Sequence, residues 1–166
     1  MRNPLFSLVL VIVFTIPVAQ GQEVVYLIRH AEQELYLEDP PLTYAGHQRA
    51  KVWANILRDA DIKVIYTSKK ARTKQTGEHI AEALNIPTEA IPRKEVAHLV
   101  NQIRTQHAGG RVLIVTHKQQ MPKIFKELGL SAEVSEKVTF SRDEYGKLFI
   151  FVPKGEDDGI VFQLRY

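Results

Sequence analysis

Three short apolar runs punctuate the chain. Val24 to Ile28 (VVYLI), Lys63 to Tyr66 (KVIY) and Val112 to Val115 (VLIV) are close to continuously apolar over the length of a strand. That is the pattern of strands covered on both faces, not the alternation of a half-exposed sheet. Between and after them, apolar positions recur at helical spacing. Thr43 is a fair N-cap for a helix carrying Ala45, Val52, Trp53, Ile56 and Leu57, which ends near Asp59 to Asp61. Thr73 to Leu84 places Thr76, Ile80, Ala83 and Leu84 on one stripe before Asn85 and Pro87. Val96 to His107 repeats the pattern with Leu99, Val100 and Ile103 and stops at Gly109-Gly110, and Met121 to Leu128 stops at Gly129. Strands alternating with helices imply βαβ units, so the expected fold is α/β: a three-layer α/β/α sandwich around a mainly parallel central sheet. Near the C-terminus, Lys147 to Val152 and Ile160 to Leu164 flank PKGEDDG and read as a hairpin adding edge strands.

The first 21 residues stand apart from this pattern. Arg2 precedes the apolar run Leu5 to Pro17, and Ala19 and Gly21 lie three and one positions before a plausible cut at Gln22. This reads as a secretory signal peptide over 1–21, followed by a single domain over 22–166, and a secreted or periplasmic location is expected. The apolar run is short for a bilayer span, so contact with a membrane is expected only through this segment if it stays uncleaved.

The chain has no cysteine, which excludes disulfides, thiolate nucleophiles and cysteine-held metals. Its formal charge of +3 falls to +2 without Arg2, too small an excess to point to nucleic acid.

Charge distribution is more informative than its sum. In a parallel sheet ligands bind beyond the carboxyl ends of the strands. After the first run come Arg29-His30, after the second Thr67-Ser68 and then Arg72, and after the third Thr116-His117-Lys118. Any one of these reads as a solvated strand end, but together they form one edge lined by guanidinium and imidazole groups, an anion pocket. A neutral imidazole among such cations can attack phosphorus directly, because the cations neutralise the equatorial oxygens. No HxxxH-type pair supports zinc or iron, and no GxSxG turn supports a serine hydrolase, so no metal or cofactor is expected.

The residues Leu27-Ile28-Arg29-His30-Ala31-Glu32 resemble the R-H-G/A-E motif of the histidine phosphatase superfamily, the phosphoglycerate mutase-like proteins. The resemblance continues at Asp39-Pro40-Pro41-Leu42-Thr43 with Gly46, at Ile65 to Ser68 with Arg72, Gln75 and Thr76, and at Val115-Thr116-His117. Within it, the chain is most similar to short exported bacterial members, which end near a Glu-Tyr-x-x-Leu-Phe segment matched here by Glu144 to Phe149. The resemblance implies a phosphoglycerate mutase-like fold and a histidine acid-type phosphatase that hydrolyses a small phosphomonoester through a phosphohistidine. In it His30 is the nucleophile, and Arg29, Arg72 and His117 hold the transferring group; Ser68 is placed either to donate to the phosphate or to cap the following turn. Mutase activity is less expected in so short a chain. The general acid is assigned to Glu95, with Glu89, Glu32 or no dedicated acid as alternatives. Relatives follow the second histidine with small polar residues, whereas Lys118-Gln119-Gln120 stands here; a weakened or non-catalytic phosphate-ester binder of the same fold is therefore the second expectation.

Overall fold

The apolar runs become the middle of a six-stranded sheet. The computed structural model describes residues 23–138, 141, 143–155 and 158–166; the expected signal segment, 1–21, lies outside the described residues. In chain order the strands are β1 (Val24–Arg29), β2 (Val64–Thr67), β3 (Thr88–Ala90), β4 (Arg111–Thr116), β5 (Lys147–Pro153) and β6 (Gly159–Arg165). The helices are α1 (Tyr44–Ile56), α2 (Ala71–Leu84), α3 (Val96–Gln106), α4 (Met121–Glu127) and α5 (Ala132–Lys137). The sheet order is β3-β2-β4-β1-β5-β6. The first four are mutually parallel, and β5 and β6 join as an antiparallel hairpin. The expected α/β/α sandwich with a mainly parallel sheet is observed.

Side chains leave each strand to alternate faces. Leu27, Tyr66 and Ile114 pack with α3 and α4 around Leu99, Ile103 and Phe125, while Ile28, Ile65 and Leu113 pack with α1 and α2 around Trp53 and Ile80. The sheet is thus buried on both sides, as continuous apolar runs require. The terminal hairpin is not wholly an edge: β5 lies between β1 and β6, and only β6 is left open, with Phe162 and Leu164 exposed.

Two helix starts are fitted closely to the sheet's carboxyl edge. Thr43 caps α1 by accepting from the Gly46 N–H at 3.0 Å. A Cβ on Gly46 would stand 2.2 Å from the Glu32 carbonyl oxygen, so only glycine lets α1 touch the segment that follows β1. On α2, a Cβ on Gly77 would stand 2.6 Å from Thr67 Cγ2, so α2 lies directly on the end of β2. Asn85, in the left-handed region at φ 54°, ends α2.

Candidate active site

Strand pairing brings the two histidines together. Arg29 pairs with Thr116 across β1 and β4, and the His30 N–H donates to the Thr116 carbonyl at 2.9 Å. His30 and His117 therefore leave adjacent strands at the same level, their ring centroids 5.3 Å apart. On its other side β4 pairs with β2, whose end supplies Ser68, and α2 then begins one residue before Arg72. Gln75 and Thr76 of α2 fasten the segment after His30, accepting from Leu42 N–H at 2.7 Å and Ala31 N–H at 3.0 Å.

His30 is 4 % exposed, and its Nδ1 lies 2.8 Å from the Ala31 carbonyl oxygen. A carbonyl only accepts, so Nδ1 carries the proton and Nε2 keeps its lone pair. Burial pushes the imidazole down to about 3; the bond to the Ala31 carbonyl opposes it, and the charges of Arg29 and Arg72 add smaller pushes downward. The ring is neutral at physiological pH.

His117 is fixed in the complementary way. Arg72 Nη2 donates to its Nδ1 at 3.3 Å, so Nε2 holds the proton and donates to Ser68 Oγ at 2.9 Å. Ser68 in turn donates to Thr73 Oγ1 at 2.7 Å, whose hydroxyl points at the carbonyls of Lys70 and Ser68. Burial and the charge of Arg72, with smaller contributions from His30, Arg93 and Arg29, push His117 to about 3 as well.

The guanidinium groups are held by a backbone carbonyl, an aromatic ring and one longer ion pair. Arg29 Nη1 donates to the Glu144 carbonyl at 3.0 Å, and its guanidinium carbon sits 4.0 Å from the centre of the Tyr145 ring. Arg72 is 3.7 Å from Asp39, and its Nε is buried with no protein partner. Desolvation lowers both arginines from their ordinary value, a cost that an entering anion offsets.

These side chains line a cleft of about 500 Å³ with Gln33, Leu35, Arg93, Lys118, Gln119, Asp143 and Tyr145. Four of the six sequence-selected residues, Arg29, His30, Arg72 and His117, converge on it, and Ser68 stands behind His117. Glu95 does not line it: it is exposed at the N-cap position of α3, on the wall of a neighbouring pocket. Glu89 is exposed on β3, and Glu32 is clasped by Arg49 Nε at 2.6 and 2.8 Å. Among the described residues lining the cleft, Asp143 is the carboxylate. Arg93, Asp143 and Tyr145 are the site residues to which sequence reasoning gave no role; the Glu144-Tyr145 part of the resemblance was the available signal for the last two.

Known proteins share parts of this sequence and its fold. The model of the histidine phosphatase superfamily (branch 1) matches residues 25–96. A probable phosphatase of Schizosaccharomyces pombe is 36% identical over 69 residues, 37% of this chain; the match spans only 24% of that relative's length. A mycobacterial glucosyl-3-phosphoglycerate phosphatase superposes with a TM-score of 0.68 at 10% identity, covering 86% of this chain and 97% of its own. A phosphoserine phosphatase from Entamoeba histolytica, solved with phosphoserine, gives 0.63 at 17% identity, covering 84% and 94%. At such identities these two structures establish a shared fold.

Proposed function

We propose that the chain is a member of the histidine phosphatase superfamily, whose model matches residues 25–96, and that it hydrolyses a phosphomonoester through a phosphohistidine on His30, without a metal. The observation that carries this reading is the His30 tautomer: Nδ1–H is tied to the Ala31 carbonyl, leaving Nε2 with its lone pair on a residue that lines the cleft together with Arg29 and Arg72. In the first step Nε2 bonds to phosphorus as the ester oxygen leaves with the bonding pair and takes a proton from solvent. In the second, water attacks the same phosphorus and gives up a proton to solvent, inorganic phosphate is released, and the imidazole regains its lone pair. Arg29 and Arg72 stabilise the equatorial oxygens throughout. When Arg72 turns to the phosphate, Ser68 donates to Nε2 of His117, and the ring's proton sits on Nδ1 as a further donor.

His30→Ala tests this. We expect turnover of an aryl phosphate to fall by about a thousandfold or more and the wild type, quenched in base, to carry acid-labile protein-bound phosphate. Retained turnover in the variant overturns the mechanism. Activity of the wild type is expected to persist in EDTA.

The position of the glutamates favours one second reading. With Glu32, Glu89 and Glu95 all away from the cleft, protonation of a poor leaving group is unassisted by them. The protein then either prefers substrates with good leaving groups, such as aryl phosphates or phosphohistidine, or binds phosphate esters without turnover. Thermal stabilisation by phosphate with no hydrolysis across a panel of phosphomonoesters selects the binder. We also propose that residues 1–21 direct export; a mature N-terminus at Gln22 in the secreted or periplasmic fraction is the expected result.

A further inference from the structure

Beyond the residues around the phosphoryl position, the cleft holds two more cations. Arg93 comes from the connection between β3 and α3, and Lys118 from that between β4 and α4. Among the described residues neither has an ion-pair partner, whereas the inner arginines are engaged, Arg29 with the Glu144 carbonyl and Tyr145 and Arg72 with His117 and Asp39. Arg93 is close enough for its charge to depress both Arg72 and His117. Among the described residues, four cations and the carboxylate of Asp143 therefore face one cleft. A lone phosphoryl dianion bound between Arg29 and Arg72 leaves Arg93 and Lys118 with the Asp143 carboxylate as the one acidic group of the described cleft lining.

Like charges crowded on one wall are unfavourable until something neutralises them. They also discriminate: a site built with unmatched charges favours the ligand that matches them over one that does not. The location matters too. Arg93 and Lys118 flank the inner site from two neighbouring loops at the same sheet edge, so one small molecule can reach both pairs.

We propose that Arg93 and Lys118 form a second anion subsite, and that the substrate class is phosphomonoesters bearing a further carboxylate or phosphate a few bonds from the ester. This rests on the cleft being a phosphomonoester site. The subsite contributes mainly to binding, so its effect falls on KM more than on kcat.

The test uses His30→Ala protein, which needs no turnover, and compares matched ligand pairs by calorimetry at low salt. 3-Phosphoglycerate against glycerol 3-phosphate isolates a carboxylate; fructose 1,6-bisphosphate against fructose 6-phosphate isolates a second phosphate. We expect the doubly anionic member of at least one pair to bind about tenfold or more tightly, and which pair discriminates identifies the group. In His30→Ala with Arg93→Met and Lys118→Met the ratio is expected to shrink to about threefold or less. Equal affinities within both pairs, or a ratio unchanged by the two substitutions, overturn the subsite while leaving the phosphomonoester reading intact. If no member of either pair binds, both readings fail together.

Discussion

Acidification from about pH 8 to about pH 5 is the perturbation that most directly reads the burial of His30 and His117. In the unfolded chain each imidazole has its ordinary value of 6.5, and in the folded chain burial and the neighbouring guanidinium charges hold both at about 3. At about pH 5 the unfolded chain therefore carries two protons that the folded chain refuses. Because the unfolded state binds more protons, stability is fully present above pH 6.5 and is lost as the pH falls toward the folded value of about 3. Linkage over that interval costs about 2 kcal/mol per ring, a figure set almost wholly by the unfolded value once the folded one lies well below the assay pH. The two rings together cost about 4 kcal/mol, a large fraction of the roughly 5–15 kcal/mol that holds an ordinary domain folded. Urea unfolding followed by circular dichroism, for the wild type and for His30→Gln with His117→Gln, measures it. Carboxylates contribute equally to both proteins and cancel. The wild type is expected to lose about 4 kcal/mol more than the variant between the two pH values; the same loss in both proteins refutes the neutral, buried pair.

Three further outcomes follow from individual contacts. Arg72→Met removes an unpartnered Nε and the donor to His117 Nδ1, and steady-state kinetics on an aryl phosphate should show kcat lower by about a hundredfold to a thousandfold. Gly46→Ala drives a Cβ to 2.2 Å from the Glu32 carbonyl, so α1 must retreat from the segment after His30; denaturant unfolding should show a loss of about 2 kcal/mol or more. Glu32→Gln breaks the clasp with Arg49, which is partly exposed, so stability should fall by about 1 kcal/mol or less. Because the Glu32 carboxylate is committed outside the cleft, turnover of an alkyl phosphate should fall less than about tenfold.

The strands and long helices were legible because each buries a continuous run or a stripe. β3 was not, since Thr88, Glu89 and Ala90 are all exposed and join the sheet through backbone pairing with β2 alone. The candidate site was legible where it is built from strand ends: Arg29, His30, Ser68 and His117 directly follow or end buried runs, and a parallel sheet puts such residues at one edge. Arg93, Asp143 and Tyr145 come from irregular connections, and their arrival depends on a contact such as Arg29 to Glu144, 115 positions apart, that no local pattern encodes. Glu32 shows the opposite failure. Its place beside His30 in the motif made it a candidate acid, but the close approach of α1 at Gly46 puts Arg49 within reach of its carboxylate.

The strand order also explains why the second histidine is needed to complete the cleft. β1 and β2 are consecutive in the chain but not adjacent in the sheet, because β4 lies between them and pairs with both. Without β4, Arg29 and His30 on one side and Ser68 and Arg72 on the other would face across an empty strand position. Its arrival places His117 between them, where one ring accepts from Arg72 and donates to Ser68 while standing beside His30. A single imidazole thereby links the two halves of the cleft. Its neutrality follows from that position, since it is buried and has guanidinium charges on both sides. The low proton affinity on which the proposed nucleophilic role of His30 rests is thus shared with His117, in each case through burial and the charges of Arg29 and Arg72.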